Sequence, residues 1–250
     1  MRIESISDAA GHPVGLPVSS LEPAERPSGA TLAGSRVRLE RLSAEQHGAD
    51  LHDALQADPA GTLWTYMPHG PFDTERDFIK WLSSIENSTD PLFYAIIDLS
   101  TNRSVGIAAY LRIDTHNRTV EVGWLTFSEQ LRRSTAATEA MYLMATHAFE
   151  LGFRRYEWKC NALNAPSIAA AERLGFSFEG IFRNAVIVKG HNRDTAWFGF
   201  TDGDWPAIKL AHEAWLDPSN FDESGNQKSS LRDLTAPLRH SAWPTLTVER

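Results

Sequence analysis

Two neighbouring runs, Glu121-Val-Gly-Trp-Leu-Thr-Phe127 and Arg132-Arg-Ser-Thr-Ala-Ala-Thr-Glu-Ala140, decide how this chain is read. The first is rich in β-branched and aromatic residues and reads as a strand. Its alternation predicts Glu121, Gly123, Leu125 and Phe127 on one face, and Val122, Trp124 and Thr126 on the other. The second run opens a helix predicted over 135–151. There Ala137, Ala140, Met141, Met144, Ala148 and Leu151 follow the three-and-four spacing of one buried stripe, and Gly152 stands just past its end. The loop 132–137 therefore feeds directly into a helix N-terminus, where free N–H groups and the positive end of the dipole favour an anion. Arg132 and Arg133 add charge. The same residues also fit an ordinary capped helix, with Ser134 or Thr135 as the cap.

Reading outward, Val37-Arg-Leu-Glu-Arg-Leu42 alternates as a strand, and helices are predicted over 44–57 and 73–88. Between them lies Trp64-Thr-Tyr-Met-Pro-His-Gly-Pro-Phe72, an aromatic loop broken by proline and glycine. Strands follow at Phe93–Ile97 and Ser104–Arg112, then a turn at Asp114–Arg118. Beyond the long helix, Tyr156-Glu-Trp-Lys-Cys160 alternates as a strand. Asn164-Ala-Pro-Ser167 opens a short helix, with asparagine as a good cap and proline in the first turn. That helix stops at Leu174-Gly-Phe176. Strands over 180–188 and 193–201, turning at Lys189-Gly-His191, and a last helix over 204–216 complete the pattern. Residues 1–33 carry Pro13, Pro17, Pro23 and Pro27 without periodicity and read as an extended arm, either disordered or laid over the domain surface. Residues 217–250 read as a second surface arm. Both arms are expected to be dispensable for folding of the domain at 34–216.

The order βααβββ-αβαββ resembles that of the GNAT superfamily, and three stretches carry the likeness. Glu121–Phe127 with Arg132–Ala140 looks like the family's fourth strand and its Q/R-x-x-G-x-G/A loop; the Thr-Glu-Ala run is usual in the RimJ/RimL-like branch. Asn164-Ala-Pro-Ser-Ile-Ala-Ala-Ala-Glu-Arg-Leu-Gly-Phe176 is similar to the N-x-x-S…LGF block. Phe178-Glu-Gly-Ile-Phe-Arg183 with Gly190-His-Asn-Arg-Asp194 is similar to the closing strands of that branch. The likeness spans about 35–210. It departs from the pattern at Thr135, where the family usually has glycine, and at Arg133, where glycine is frequent; Ala137 satisfies the final small position.

The resemblance implies an α+β fold, a mixed and mostly antiparallel sheet flanked by helices. It implies an acetyl-CoA-dependent N-acetyltransferase acting by direct transfer on a primary amine, with a small molecule ranked first as acceptor. The alternatives are a protein N-terminus, as in the ribosomal-protein members, and a non-catalytic acyl-CoA sensor, the latter suggested by the glycine-poor loop. Carried over residue by residue, Glu121 is the candidate base and Ser167 the candidate acid. Leu125, Thr126, Phe127, Arg132, Arg133, Ser134, Thr135, Ala136, Ala137, Thr138, Asn164 and Ser167 are candidate cofactor contacts. Trp64, Tyr66 and Phe72 are candidate walls of the acceptor pocket. The structural alternatives are a strand carboxylate for Glu121, a helix cap for Asn164 and a first-turn residue for Ser167. Asp194 is read as an anchor of the closing strands.

Composition bounds the partners. A formal charge of −8 disfavours nucleic acid, whose phosphates want clustered lysine and arginine. The lone Cys160 has no intrachain disulfide partner and no metal-ligand cluster around it, and its alternation with Tyr156 and Trp158 suggests core packing. No run approaches the ~18 apolar residues of a membrane span. A cytoplasmic protein is the expectation, with no metal and no membrane partner; a homodimer is left open.

Overall fold

A computed structural model describes residues 4–58 and 61–244; the outermost parts of both expected arms, 1–3 and 245–250, lie outside the described residues. A small hairpin, β1 (Ile6–Ser7) and β2 (Pro13–Val14), precedes the main sheet. The first half of that sheet comes from β3 (Leu32–Ala33), β4 (Val37–Arg41), β5 (Leu92–Asp98), β6 (Arg103–Asp114) and β7 (Thr119–Phe127). Helices α1 (Ala44–Gln56) and α2 (Glu75–Ile85) connect β4 to β5. The second half interleaves α3 (Thr135–Glu150), β8 (Arg155–Asn161), α4 (Ala165–Arg173), β9 (Ser177–Val188), β10 (His191–Thr201), α5 (Trp205–Leu216) and α6 (Leu231–Thr235). The eight strands lie in the order β3-β4-β5-β6-β7-β8-β10-β9. Every pairing is antiparallel except β7 with β8. This is the mixed, mostly antiparallel sheet the sequence implies.

Apolar residues fill both faces. One core joins Val122, Met141, Met144, Trp158, Phe198 and Ile208 between the sheet and α3, α4 and α5. The other joins Leu51, Leu55, Phe78, Leu82, Phe93 and Ile107 beneath α1 and α2. A buried carboxylate ties α3 to the start of the domain. Glu139 accepts from the Ser35, Arg36 and Val37 amides at 3.2, 2.6 and 2.9 Å and from Ser35 Oγ at 2.6 Å. The approach is close enough that a Cβ on Gly34 would meet Glu139 Oε2 at 2.5 Å. Burial alone would raise the Glu139 pKa, yet these donors hold it below its ordinary value.

One feature differs from the sequence expectation. Strand β7 does not alternate throughout. Ile107 faces Thr126 and Ala109 faces Gly123, so β7 carries one extra residue at Trp124–Leu125, and Trp124 has φ 54°. This bulge turns Leu125 and Phe127 onto the α3 side with Val120 and Val122, while Trp124 packs into the α1–α2 core. Leu125 and Phe127 therefore do not share a face with Glu121.

The N-terminal segment is docked from Ala24 onward. Ala24 and Leu32 are buried, and the Ala24 and Glu25 amides donate to Thr115 O and Leu151 O at 2.9 and 2.8 Å. The C-terminal segment also packs. Leu231 is fully buried, and Trp243 lies against Phe178 and Phe198 with ring centroids 5.0 and 6.0 Å apart.

Candidate active site

The parallel ladder between β7 and β8 covers only Thr119–Val122 and Arg155–Trp158. Past those residues the strands part, and 123–127 form no ladder on the β8 side. The bulge at Trp124 starts where the splay starts, because an extra residue bends the strand that carries it. The opening lies between the end of β7, which leads to α3, and the end of β8, which leads to α4.

At the N-terminus of α3, Ser134 is the cap: its Oγ accepts from Ala137 N at 3.0 Å and donates to Leu131 O at 2.6 Å. Its side chain is thus already committed. Leu131 N and Arg132 N both donate to Ser128 O, so the turn before the helix closes on itself. Among the described residues no hydrogen bond is recorded for the N–H groups of Arg133, Thr135 and Ala136. Arg133 has φ 60°, the left-handed backbone that glycine adopts without cost. The chain thus adopts a left-handed backbone at a position where the resemblance makes glycine frequent, while adding a cation. Arg132 and Arg133 are exposed. Unpaired first-turn amides flanked by two exposed guanidiniums beside a strand opening suit a ligand bearing a pyrophosphate. Two other candidates face inward. Thr138 is buried and accepts from Arg173 Nη1 at 3.0 Å, linking α3 to α4. Thr126 is buried and bonds to Trp124 O at 3.2 Å.

Across the opening, Asn164 caps α4, accepting from Ser167 N at 3.2 Å. Ser167 Oγ accepts from Trp158 Nε1 at 3.0 Å. One hydroxyl lone pair is thus occupied, and the hydroxyl hydrogen-bonds the Cys160 sulfur. Cys160 is buried beside Ser167, and burial pushes its thiol up to about 11, which makes it inert packing as the sequence suggested.

Glu121 is 3% exposed. Lys159 Nζ lies 2.9 Å from its Oε2 and Arg112 Nη1 lies 2.5 Å from the same atom. Lys159 also reaches Glu157 at 2.7 Å and stands 3.7 Å over the Trp197 ring. The chain of charges continues through Arg155, which bonds both Glu157 and Glu179. Burial raises the Glu121 pKa, and the two cations oppose that rise without cancelling it. Sequence reading did not find Lys159 and Arg112, because only the β6–β7–β8 register sets them around Glu121.

The 64–72 loop meets the far side of the opening. Tyr66 OH donates to Leu163 O at 2.9 Å, and Lys189 Nζ, in the β9–β10 turn, donates to Trp64 O at 2.8 Å. Trp64, expected as a pocket wall, is itself buried: its ring packs edge-on against Phe72 and Trp81 at 5.3 and 6.2 Å. His69, which the sequence did not single out, is stacked between Trp81 and Trp124 at 4.3 and 4.7 Å. Both of its ring nitrogens are enclosed and unpartnered. Burial, aided by Lys189, lowers its pKa to about 4, so it is neutral near pH 7.

Comparison with known proteins agrees with this geometry. The family model described as acetyltransferase (GNAT) domain matches residues 36–177. A GCN5-related N-acetyltransferase from Brucella melitensis is 43% identical over 88% of this chain and 100% of its own, with a TM-score of 0.85. A probable GNAT-family acetyltransferase from Chromobacterium violaceum is 38% identical over 78% of this chain and 98% of its own, with a TM-score of 0.73. More distantly, the microcin C7 self-immunity acetyltransferase MccE, solved with acetyl-CoA and AMP, is 20% identical over 67% of this chain and 93% of its own, with a TM-score of 0.59. That last likeness shows the fold alone. No curated protein matches the chain. The chain belongs to the GNAT acetyltransferase family. It is an N-acetyltransferase with the α+β fold of that family. No helix among the described residues is long and apolar enough to cross a membrane.

Proposed function

We propose that this enzyme moves an acetyl group from acetyl-CoA directly to the primary amine of a small molecule, as a RimJ/RimL-like member of its family. The observation that carries the cosubstrate is the set of unpaired amides at and just before the α3 N-terminus, at Arg133, Thr135 and Ala136, beside the β7–β8 splay. A bounded acceptor side supports the small acceptor. Tyr66 and Lys189 fasten the 64–72 loop to the start of α4 and to the β9–β10 turn, which leaves less room for an extended polypeptide.

Acetyl-CoA supplies the acetyl group as a thioester, so the carbonyl carbon exchanges a C–S bond for a C–N bond. The Arg133, Thr135 and Ala136 amides, with the Arg132 and Arg133 side chains, hold the pyrophosphate. Asn164, Leu125 and Phe127 line the course of the pantetheine arm. An N–H on the outer edge of β7 past the splay polarises the carbonyl oxygen as negative charge grows there. Glu121, held close to two cations, takes the ammonium proton directly or through water. The ammonium loses two protons in all. One ends on the departing sulfur, from Ser167 or solvent, and the other is released. Ser167 suits this because Trp158 donates to its oxygen, while its own proton faces sulfur already, at Cys160, and can turn to the departing thiolate.

Purified protein, acetyl-CoA and a panel of small amines and short peptides test the reading through release of the free CoA thiol and the mass of the acetylated product. The expected result is thiol release matched by acetylation of small amines. Acetylation confined to peptide N-termini overturns the small-molecule acceptor. Acetyl-CoA binding without thiol release for any amine overturns catalysis and leaves a sensor.

A further inference from the structure

The acceptor side carries a cation that the protein itself does not satisfy. Register places Glu121 opposite Glu157 on β8, and Lys159 opposite Trp197 on β10. Alternation along β10 then sends Arg193, Thr195 and Trp197 to the face that holds Glu121 and Lys159. The other charges on this face pair off: Arg112 with Glu121, Lys159 with Glu121 and Glu157, Arg155 with Glu157 and Glu179. Arg193 does not. It is half-buried, with no hydrogen bond or ion pair recorded for its side chain among the described residues; its Nε is enclosed, while its terminal nitrogens are not. Burial lowers its pKa; Cys160 and then Glu121 oppose that shift, and Arg112 adds to it. Two further donors on the same strand face, Thr195 Oγ1 and Trp197 Nε1, are enclosed and also lack acceptors.

A partly desolvated guanidinium without an acceptor is costly, and natural proteins keep few such groups without a reason. This one lies beside the opening: the carbonyl of its neighbour Asp194 accepts from Ala162 N at 2.9 Å, on the segment that leads from β8 into α4. Glu121 offers a carboxylate for the ammonium of the acceptor, and Arg193 offers a fork of donors for a second group of opposite charge. A guanidinium matches a carboxylate or a phosphate by two parallel hydrogen bonds.

Resting on the reading above, we infer that the acceptor is an amine that also carries an oxyanion, and that Arg193 is the residue that binds that oxyanion. Arg193 sets specificity and takes no part in the proton transfers.

Kinetics of matched acceptors test this. One set contains α-amino acids; the second contains their methyl esters and amides, which keep the amine and lose the charge; the third contains aminoalkyl phosphates. The wild-type enzyme is expected to favour one of the oxyanion-bearing sets over the ester set by roughly tenfold or more in kcat/KM. Which of those two sets is favoured identifies the oxyanion. Arg193→Ala should erase that preference by raising KM for the charged acceptors, leaving kcat and the ester kinetics nearly unchanged. Arg193→Lys, which keeps the charge without the fork, should restore part of it. A wild-type preference for esters, or an unchanged KM for charged acceptors in Arg193→Ala, overturns the inference while acetyl transfer itself stands. Absence of turnover with every set overturns this inference together with the reading it rests on.

Discussion

Glu121 carries two opposing demands. Burial favours its neutral form, while Lys159 and Arg112 favour the carboxylate. As a base it must be ionised; the two cations favour that form and burial opposes it. Glu121→Gln keeps the shape and removes the proton acceptor. A general base is worth about 10²–10⁴-fold, so kcat/KM should fall by about that range with acetyl-CoA affinity unchanged. Raising the pH should recover part of the loss by supplying free amine. Lys159 keeps Glu157 as a partner in the variant, which limits the damage to the fold. Ser167→Ala should cost less, since a thiol with pKa of about 8.5 leaves tolerably without help. Near-normal turnover of Glu121→Gln at neutral pH sinks the base assignment. Motif likeness made Glu121, Asn164 and Ser167 visible in the sequence. The partners of Glu121 and the stacked His69 were not visible, because each depends on strands or loops far apart in the chain.

Element scale divides legible from illegible more sharply. Strand β7 spans Thr119–Phe127, the range its composition predicts, and Ser134 caps α3 as one of the two predicted caps. The bulge at Trp124 escaped notice because alternation assumes a regular ladder, and no glycine marks the positive φ. The terminal segments read as arms because their buried residues are few and widely spaced: Ala24, Pro27 and Leu32 at one end, Asn220, Leu231 and Thr235 at the other. Two consequences can be measured. Glu139→Ala strands the 35–37 amides around an empty position and should destabilise the protein by about 3 kcal/mol in urea denaturation, because it removes several charge-assisted hydrogen bonds at once. Deleting residues 1–20, whose described part makes no buried contact, should leave the melting temperature within a degree or two, roughly. Deleting 1–33 removes Ala24 and Leu32 from the core, a loss of about 3 kcal/mol, or roughly 6–12 °C. Equal melting temperatures for the two deletions contradict the docked description of residues 24–33.

Over the whole molecule, three histidines lowered by burial make the fold acid-sensitive: His69, His212 and, with Glu150 and Glu25 opposing, His147. His69 and His212 are each pushed to about 4 by burial, with Lys189 and Arg173 respectively adding to the shift. His212 also bonds Leu174 O at 3.0 Å, a contact that opposes its shift. Their folded values lie below the unfolded value of 6.5, so the unfolded chain binds protons first. That stability is complete above the unfolded value and is lost as the pH falls toward about 4. Glu139 and Glu157, held low by their partners, lose stability in the same direction further into acid. Glu121 acts oppositely: its raised value favours the folded state on the acid side. The melting temperature should therefore decline between neutral pH and about pH 5, with a shallower decline in His212→Leu. An unchanged slope in that variant removes His212 from the account.

The central claim is that the N-terminus of α3 is the acetyl-CoA site, and calorimetric titration of acetyl-CoA into wild-type protein and Arg133→Glu tests it most directly. The variant places a negative charge beside three unpaired amides without touching the core. Binding by the wild type and its loss by at least about tenfold in Arg133→Glu, with the melting temperature of the free protein unchanged, is the predicted result. Equal affinity in the two proteins, with the fold intact, contradicts the assignment of the loop.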